Sequence, residues 1–247
     1  MNVEQFSNEF DTLFNSFART IPFGTDESPM DVRIDEYEKS VFLTKAQKEL
    51  VIAYYSGQNS YSLSFEEKEI VREALDTLVK TLTPEPLGDI PAAKHIIDDK
   101  RKMYFYRLPE DLLYIIFEEV KFSSYLSGCK GGNTAIVVPS THDEVWHRMQ
   151  NPFRGPSNRR VLRLNAENNL VELISDYPIG SYLLRYVEEP KPIILTDLPD
   201  GLTIDGISTK TECELPSILH HKILDVAVRM ALQSKSVGLS GGQPSKS

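Results

Sequence analysis

The sequence predicts an α+β fold: a helical N-terminal third, then a mostly antiparallel β region that holds a short helix and closes with a C-terminal helix. Three observations carry this. Up to about residue 79, apolar residues recur at helical spacing. Pro84, Pro86 and Pro91 then break the pattern. Beyond them the period shifts toward two, until helical spacing returns after Pro216.

Each element follows from local chemistry. Val3, Phe6, Phe10, Leu13, Phe14 and Phe17 form an apolar stripe that predicts an amphipathic helix at the start. "IPFGTDESPMDV" is rich in turn formers and predicts a linker. In "DEYEKSVFLTKAQKELVIAYYSG", Asp35 is placed to cap a helix, acidic residues fill the first turn, and Gly57 supplies a stop. Its stripe is predicted as Phe42, Ala46, Leu50 and Tyr54. Ser64 and Glu67 have capping-box spacing before a helix carrying Ile70, Ala74, Leu75, Leu78 and Val79. "KMYFYRLP" and "LYIIFEEVKF" predict strands, with a helical turn starting at Pro109-Glu110-Asp111 between them. "TAIVVP" predicts a short strand, and "STHDEVWHRMQ" a short helix in which Thr141 and Glu144 repeat the capping-box spacing. "RRVLRLNAENNLVELIS" predicts a hairpin, because Asn168-Asn169 tolerates left-handed backbone. "GSYLLRYVEEP" predicts a strand. "ELPSILHHKILDVAVRMALQSK" predicts a helix with Pro216 in its first turn and Leu219, Ile223, Val226, Ala227 and Met230 inward. The expected organisation is a helical region over 1–83, a linker over 84–101, a β-rich region with the C-terminal helix over 102–235, and a flexible tail over 236–247.

Composition narrows the function. Hydrophobic content of 40% and charged content of 26% suit a globular chain with its own core. A net charge of -9 argues against broad coating of nucleic acid, which needs a basic face. The N-terminal stretch lacks a basic segment followed by an apolar core, so no signal peptide is expected. No window approaches the roughly 20 apolar residues of a membrane helix, so no membrane role is expected. Cys129 and Cys213 make neither a disulfide framework nor a zinc set, and both are expected as reduced thiols.

Several stretches imitate chemical motifs. "LSGGQ", in the tail, spells the signature loop of ABC-type ATPases, but the chain has no G-x-x-x-x-G-K-[ST] and the stretch runs into Pro-Ser-Lys-Ser. "SGCKGG" places Cys129 beside Lys130, which could lower a thiol pKa, yet an ordinary turn is the plainer reading. His142 and His147 lie on different helix faces, His220 and His221 diverge, and with His95 they match no metal spacing. Glu118-Glu119 and Glu188-Glu189 are strand neighbours that point to opposite faces, a poor acid/base pair. No catalytic residue, cofactor or metal site is expected, and no enzyme.

The most basic stretch is "NPFRGPSNRRVLRLN", with Arg154, Arg159, Arg160 and Arg163. Strand alternation puts Arg163 with Val161, and Arg160 with Leu162 and Leu164, so the four do not line up on one face. Pairing with carboxylates, within the fold or on another subunit, is the expected role, and contact with DNA the alternative.

The order and texture of "DEYEKSVFLTKAQKELVIAYYSG", "YRLPEDLLYIIFEEVKF", "NPFRGPSNRRVLRLN", "GSYLLRYVEEPKPIIL" and "CELPSILHHKILDVAVRMALQSK" resemble the virion neck and tail ring proteins of short-tailed phages. The likeness is strongest to those of crAss-like phages of gut Bacteroidetes. It spans roughly residues 35–235 and rests on no unique chemical motif. It implies a structural homo-oligomer, typically a ring of twelve below the portal protein, with neighbouring neck or tail rings as further partners. It also implies that DNA leaves through the lumen without specific binding, and that the protein is assembled in the host cytoplasm into the virion. Head-to-tail contacts in a closed ring need two different patches on each subunit. Arg154, Arg159, Arg160 and Arg163 are the candidates for one patch. Phe6, Phe10, Phe14 and Phe17, with the C-terminal tail, are candidates for docking to the portal or the next ring. Three other readings stay open: a soluble adaptor or regulatory protein that binds a partner through its helical region, an enzyme that uses Cys129, and a DNA binder that uses the arginine stretch.

Overall fold

A computed structural model describes residues 1–18, 34–58, 69–88, 101–123, 133–167, 169–199 and 201–240. Among them the helices are α1 (Val3–Ala18), α2 (Glu36–Ser56), α3 (Glu69–Leu75), α4 (His142–Gln150) and α5 (Ser217–Ser240). The strands are β1 (Val79–Leu82), β2 (Pro86–Leu87), β3 (Lys102–Arg107), β4 (Leu112–Phe122), β5 (Thr134–Pro139), β6 (Arg160–Asn165), β7 (Leu170–Ser175) and β8 (Ile179–Glu188). The chain divides into a helical unit, Met1–Leu78 with Pro190–Ser247, and a sheet unit, Val79–Glu189. The α+β class is as the sequence predicts.

In the helical unit, α2 begins where Asp35 accepts a hydrogen bond from the Glu38 amide, and ends at Gly57, whose φ of 81° is the left-handed C-cap. α5 runs antiparallel to α2. Lys222 meets the Tyr54 hydroxyl near one end, and Lys235 meets Glu38 near the other. The buried face of α2 differs from the predicted stripe. Ala46 and Tyr54 are buried as predicted, but Leu43 and Val51 fill the core while Phe42 and Leu50 are only half-buried. The reason is polar. Ser40, Thr44 and Gln47 are also buried, and they hydrogen-bond an extended segment that follows β8. Ser40 Oγ accepts from the Leu195 amide, Thr44 Oγ1 accepts from the Ile193 amide at 3.1 Å, and Gln47 Nε2 donates to the Lys191 carbonyl at 2.8 Å. Ile194 pairs with Thr211, and the groups of this extended segment that point the other way find their partners on a helix face.

Three elements depart from their predicted ends. α3 tightens into a 3-10 turn at Asp76–Leu78, so Val79 opens β1 instead of ending a helix; β-branched Val79 and Thr81 suit a strand. Pro109–Asp111 forms a plain turn and not a helical one. α5 continues past Lys235 through Ser240, so it includes the first two residues of Leu-Ser-Gly-Gly-Gln. The predicted linker over 21–32, the Ser64–Glu67 box, Pro91, Cys129 and residues 241–247 lie outside the described residues.

The sheet unit orders its eight described strands β1-β8-β4-β5-β6-β7-β3-β2. Neighbours are antiparallel except β5 and β6, which are parallel. A parallel pair needs a crossover, and α4 supplies it. Thr141 caps α4 by accepting from the Glu144 amide. Val145 and Met149 pack with Leu162, Leu164 and Ile174 on one sheet face. The opposite face holds the larger core, with Tyr106, Val120, Phe122, Val161, Leu173, Tyr182 and Leu184. The Tyr106 and Tyr182 rings are 4.9 Å apart, although β3 and β8 are separated in the sheet by β4, β5, β6 and β7. That contact requires the sheet to curl so that this face lines an interior. β6 and β7 join in the predicted hairpin, with Asn169 at a φ of 56°.

Candidate subunit interface

The four arginines of the basic stretch separate by strand parity. Arg163 points into the curled interior, and Arg160 to the α4 side. Arg163 Nη1 pairs with Glu118 Oε2 at 2.8 Å, with side chains only 10% and 5% exposed. The Tyr182 hydroxyl donates to the other Glu118 oxygen. Burial pushes the Glu118 carboxyl above its ordinary pKa, against the opposing pull of Arg163 and of the Tyr182 hydroxyl. Burial likewise raises the Tyr182 phenol, with the Glu118 charge adding to it, so the hydroxyl keeps its proton and donates. Arg163 is therefore committed within its own fold, as the intramolecular form of the pairing expected for these arginines.

The other three sit around one turn. Asn151 ends α4, and its carbonyl accepts from the Arg154 and Gly155 amides. Its side-chain oxygen accepts from the Phe153 amide at 2.9 Å. Arg160 Nη1 donates to the Phe153 carbonyl. Gly155 is buried where a Cβ would lie 3.2 Å from the carbonyl oxygens of Arg148 and Asn151, so a larger residue there would press on the turn's backbone. The backbone on both sides of Phe153 is thus held, yet the residue is 85% exposed. Arg154 and Arg159 are exposed and enter no ion pair among the described residues. Arg154 borders an open groove with Glu144, His147, Arg148 and Asn151. Ile136, 53% exposed, is the register partner of Arg160 across β5–β6. On β4, Glu119 opposes Ile136, and Phe117, 44% exposed, stands two residues before Glu119 on the same face.

The aromatic stripe of α1 is placed differently. Phe6, Phe10 and Phe14 are buried in the helical unit, and Phe6 lies 5.1 Å from the His220 ring. Phe17 is 49% exposed. Buried Lys39 on α2 reaches α1, with Nζ 2.7 Å from Asp11 and 2.8 Å from Glu36. Burial lowers its pKa, but the two carboxylates outweigh this and hold it above the ordinary lysine value.

His220 is buried, and its Nε2 lies 2.9 Å from the Leu215 carbonyl, whereas His221 is exposed. His142 Nε2 meets the Asn165 carbonyl. The Cys213 thiol faces Gln47, and burial pushes its pKa up to about 11, which keeps it protonated at neutral pH. The sequence reading did not single out Phe153. The available signal was an aromatic residue between turn formers, with no periodic partner to bury it.

Comparison with known proteins adds an independent line. A family model described as "Phage tail ring protein 3/4" matches residues 1–241. The chain is 42% identical over 239 residues to "Ring protein 3" of Bacteroides phage crAss001, covering 96% of this chain and 97% of that one. It is 34% identical over 240 residues to "Ring protein 4/5" of the same phage, covering 94% and 92% respectively.

Proposed function

Because the chain belongs to the phage tail ring protein family, and is a structural ring component of the virion tail, we propose that it forms a ring of about twelve copies between the portal and the tail. In this reading the ring extends the channel through which DNA leaves the head. It stacks on the portal or on an adjacent ring, and it serves as structure and not as a catalyst. The observation that carries the reading is the match to a tail ring family along nearly the whole chain. The net charge of -9 supports a lumen wall that repels DNA instead of holding it. The exposed turn carrying Arg154, Arg159 and Arg160 suits one of the two patches that a head-to-tail ring needs. Three of the four stripe phenylalanines are spent inside the helical unit, and Phe17 is the half-exposed one. Assembly takes place in the host cytoplasm.

Symmetry-resolved electron microscopy of the particle neck tests this. The expected result is a closed ring of this chain around the DNA path below the portal. Density for the chain elsewhere on the particle, or off the DNA axis, contradicts it.

A further inference from the structure

We propose that the Phe153 turn of one copy seats on the helical unit of the next copy in the ring, against the exposed face of α5 that carries Ile218 and Asp225. This rests on the ring reading above and names the surface that receives the arginine turn.

The first observation is the form of the turn. Phe153 has its amide held by the Asn151 side chain and its carbonyl by Arg160, and the residue is 85% exposed. With the backbone held, only the side-chain torsions of Phe153 remain to be ordered on binding. Aromatic and arginine side chains together are the composition of interface hot spots. Ile136 and Phe117 extend the apolar surface along the same sheet face, and Arg154 and Arg159 flank it.

The second observation is charge. Residues 79–189 carry 14 Lys and Arg against 15 Asp and Glu, a formal -1. Of the chain's -9, therefore, -8 belongs to residues 1–78 and 190–247. An exposed guanidinium pair on the nearly neutral unit is complementary to the acidic unit of another copy, and not to a second sheet unit.

The third observation is the receiving face. Ile218 is 66% exposed, the most exposed large apolar side chain described in the helical unit. Asp225 is seven residues on, on the same side of α5, is exposed, and enters no ion pair among the described residues. Glu9 lies 3.6 Å from His221 between them, bringing a carboxylate of α1 to that face. Exposed Arg229 follows Asp225 by one turn on the same side, so the face offers an apolar centre with Glu9 and Asp225 on one stretch and a cation beyond them, and it is the Ile218–Asp225 stretch that matches a phenylalanine flanked by arginines. Such a contact is heterologous, so it propagates from copy to copy as a ring requires.

The test uses phage particles in which Phe153 is replaced by the photo-reactive p-benzoylphenylalanine. The substituted side chain is exposed and leaves the core intact. Irradiation is expected to give a covalent dimer of this chain on a denaturing gel. The cross-linked peptide should come from α1 or from the first half of α5. Adding Arg154→Glu should cut the dimer yield about ten-fold or more. Particles that contain the chain but give no dimer overturn this inference and leave the ring reading intact. So does a dimer linked through residues 79–189, or a link to a different polypeptide. If the chain is absent from particles even with Phe153 in place, the ring reading itself fails.

Discussion

Arg163 and Glu118 form an ion pair that the fold itself needs. Removing one partner strands a charge in the curled interior, so Arg163→Ala should cost about 3–5 kcal/mol, read from urea unfolding. Glu118→Leu with Arg163→Met and Tyr182→Phe removes the whole polar set and should return stability to about the parent level. His220 gives a pH signature. Burial lowers its pKa below the ordinary 6.5, aided by the N-terminal amine and His221 and opposed by the Leu215 carbonyl. Below about pH 6.5 the unfolded chain therefore binds a proton that the folded chain resists. Its contribution to stability is complete above that pH and is lost as pH falls. His220→Gln should flatten this part of the profile, and an unchanged slope between pH 7 and 5 would assign it to other groups. At this scale the sequence was legible in its alternation: it separated Arg163 from Arg160, and Glu118 from Glu119. It could not reveal that Arg163 and Glu118, 45 residues apart, meet across β5, because that depends on which strands lie side by side and in what register.

Elements differ in how openly the sequence declares them. α2 and α4 have ends written in single residues, Asp35, Gly57 and Thr141, whose chemistry acts within one turn. The β6–β7 hairpin is equally local. The polar stripe of Ser40, Thr44 and Gln47 is not, because its partners lie about 150 residues away along the chain. Those side chains look solvent-facing until the segment over 191–195 is laid on them. Thr44→Val keeps the shape but leaves the buried Ile193 amide without its acceptor. It should cost about 1–3 kcal/mol and speed hydrogen exchange at the Ile193 amide. Thr44→Ser keeps the hydroxyl and should restore that protection. Equal exchange in all three proteins would show that the segment is held by packing alone. β1 and β2 escaped prediction because each is short and edge-placed, in a stretch broken by Pro84 and Pro86. The helical character of α5 was plain from its spacing, but its packing on α2 depends on where the chain returns.

For the whole molecule, a tail ring protein must repeat a contact around an axis, and this chain offers two dissimilar surfaces for it. One is a rigid arginine and phenylalanine turn on a nearly neutral sheet unit. The other is a helical unit that carries most of the negative charge. A contact rimmed by exposed ion pairs weakens as salt screens it. Rings of the isolated chain, where they form, should therefore dissociate at lower protein dilution in 0.5 M than in 0.05 M salt, as read by native mass spectrometry. The family resemblance was legible in the order of the stretches, while the contact surface was not, since exposure of Phe153 is a property of the folded turn. The most direct measurement is gradient sedimentation of an infected-cell lysate, with this chain quantified against the major capsid protein. The account predicts co-sedimentation with DNA-filled particles at about a dozen copies each. A chain that stays at the top of the gradient, with particles free of it, contradicts the account.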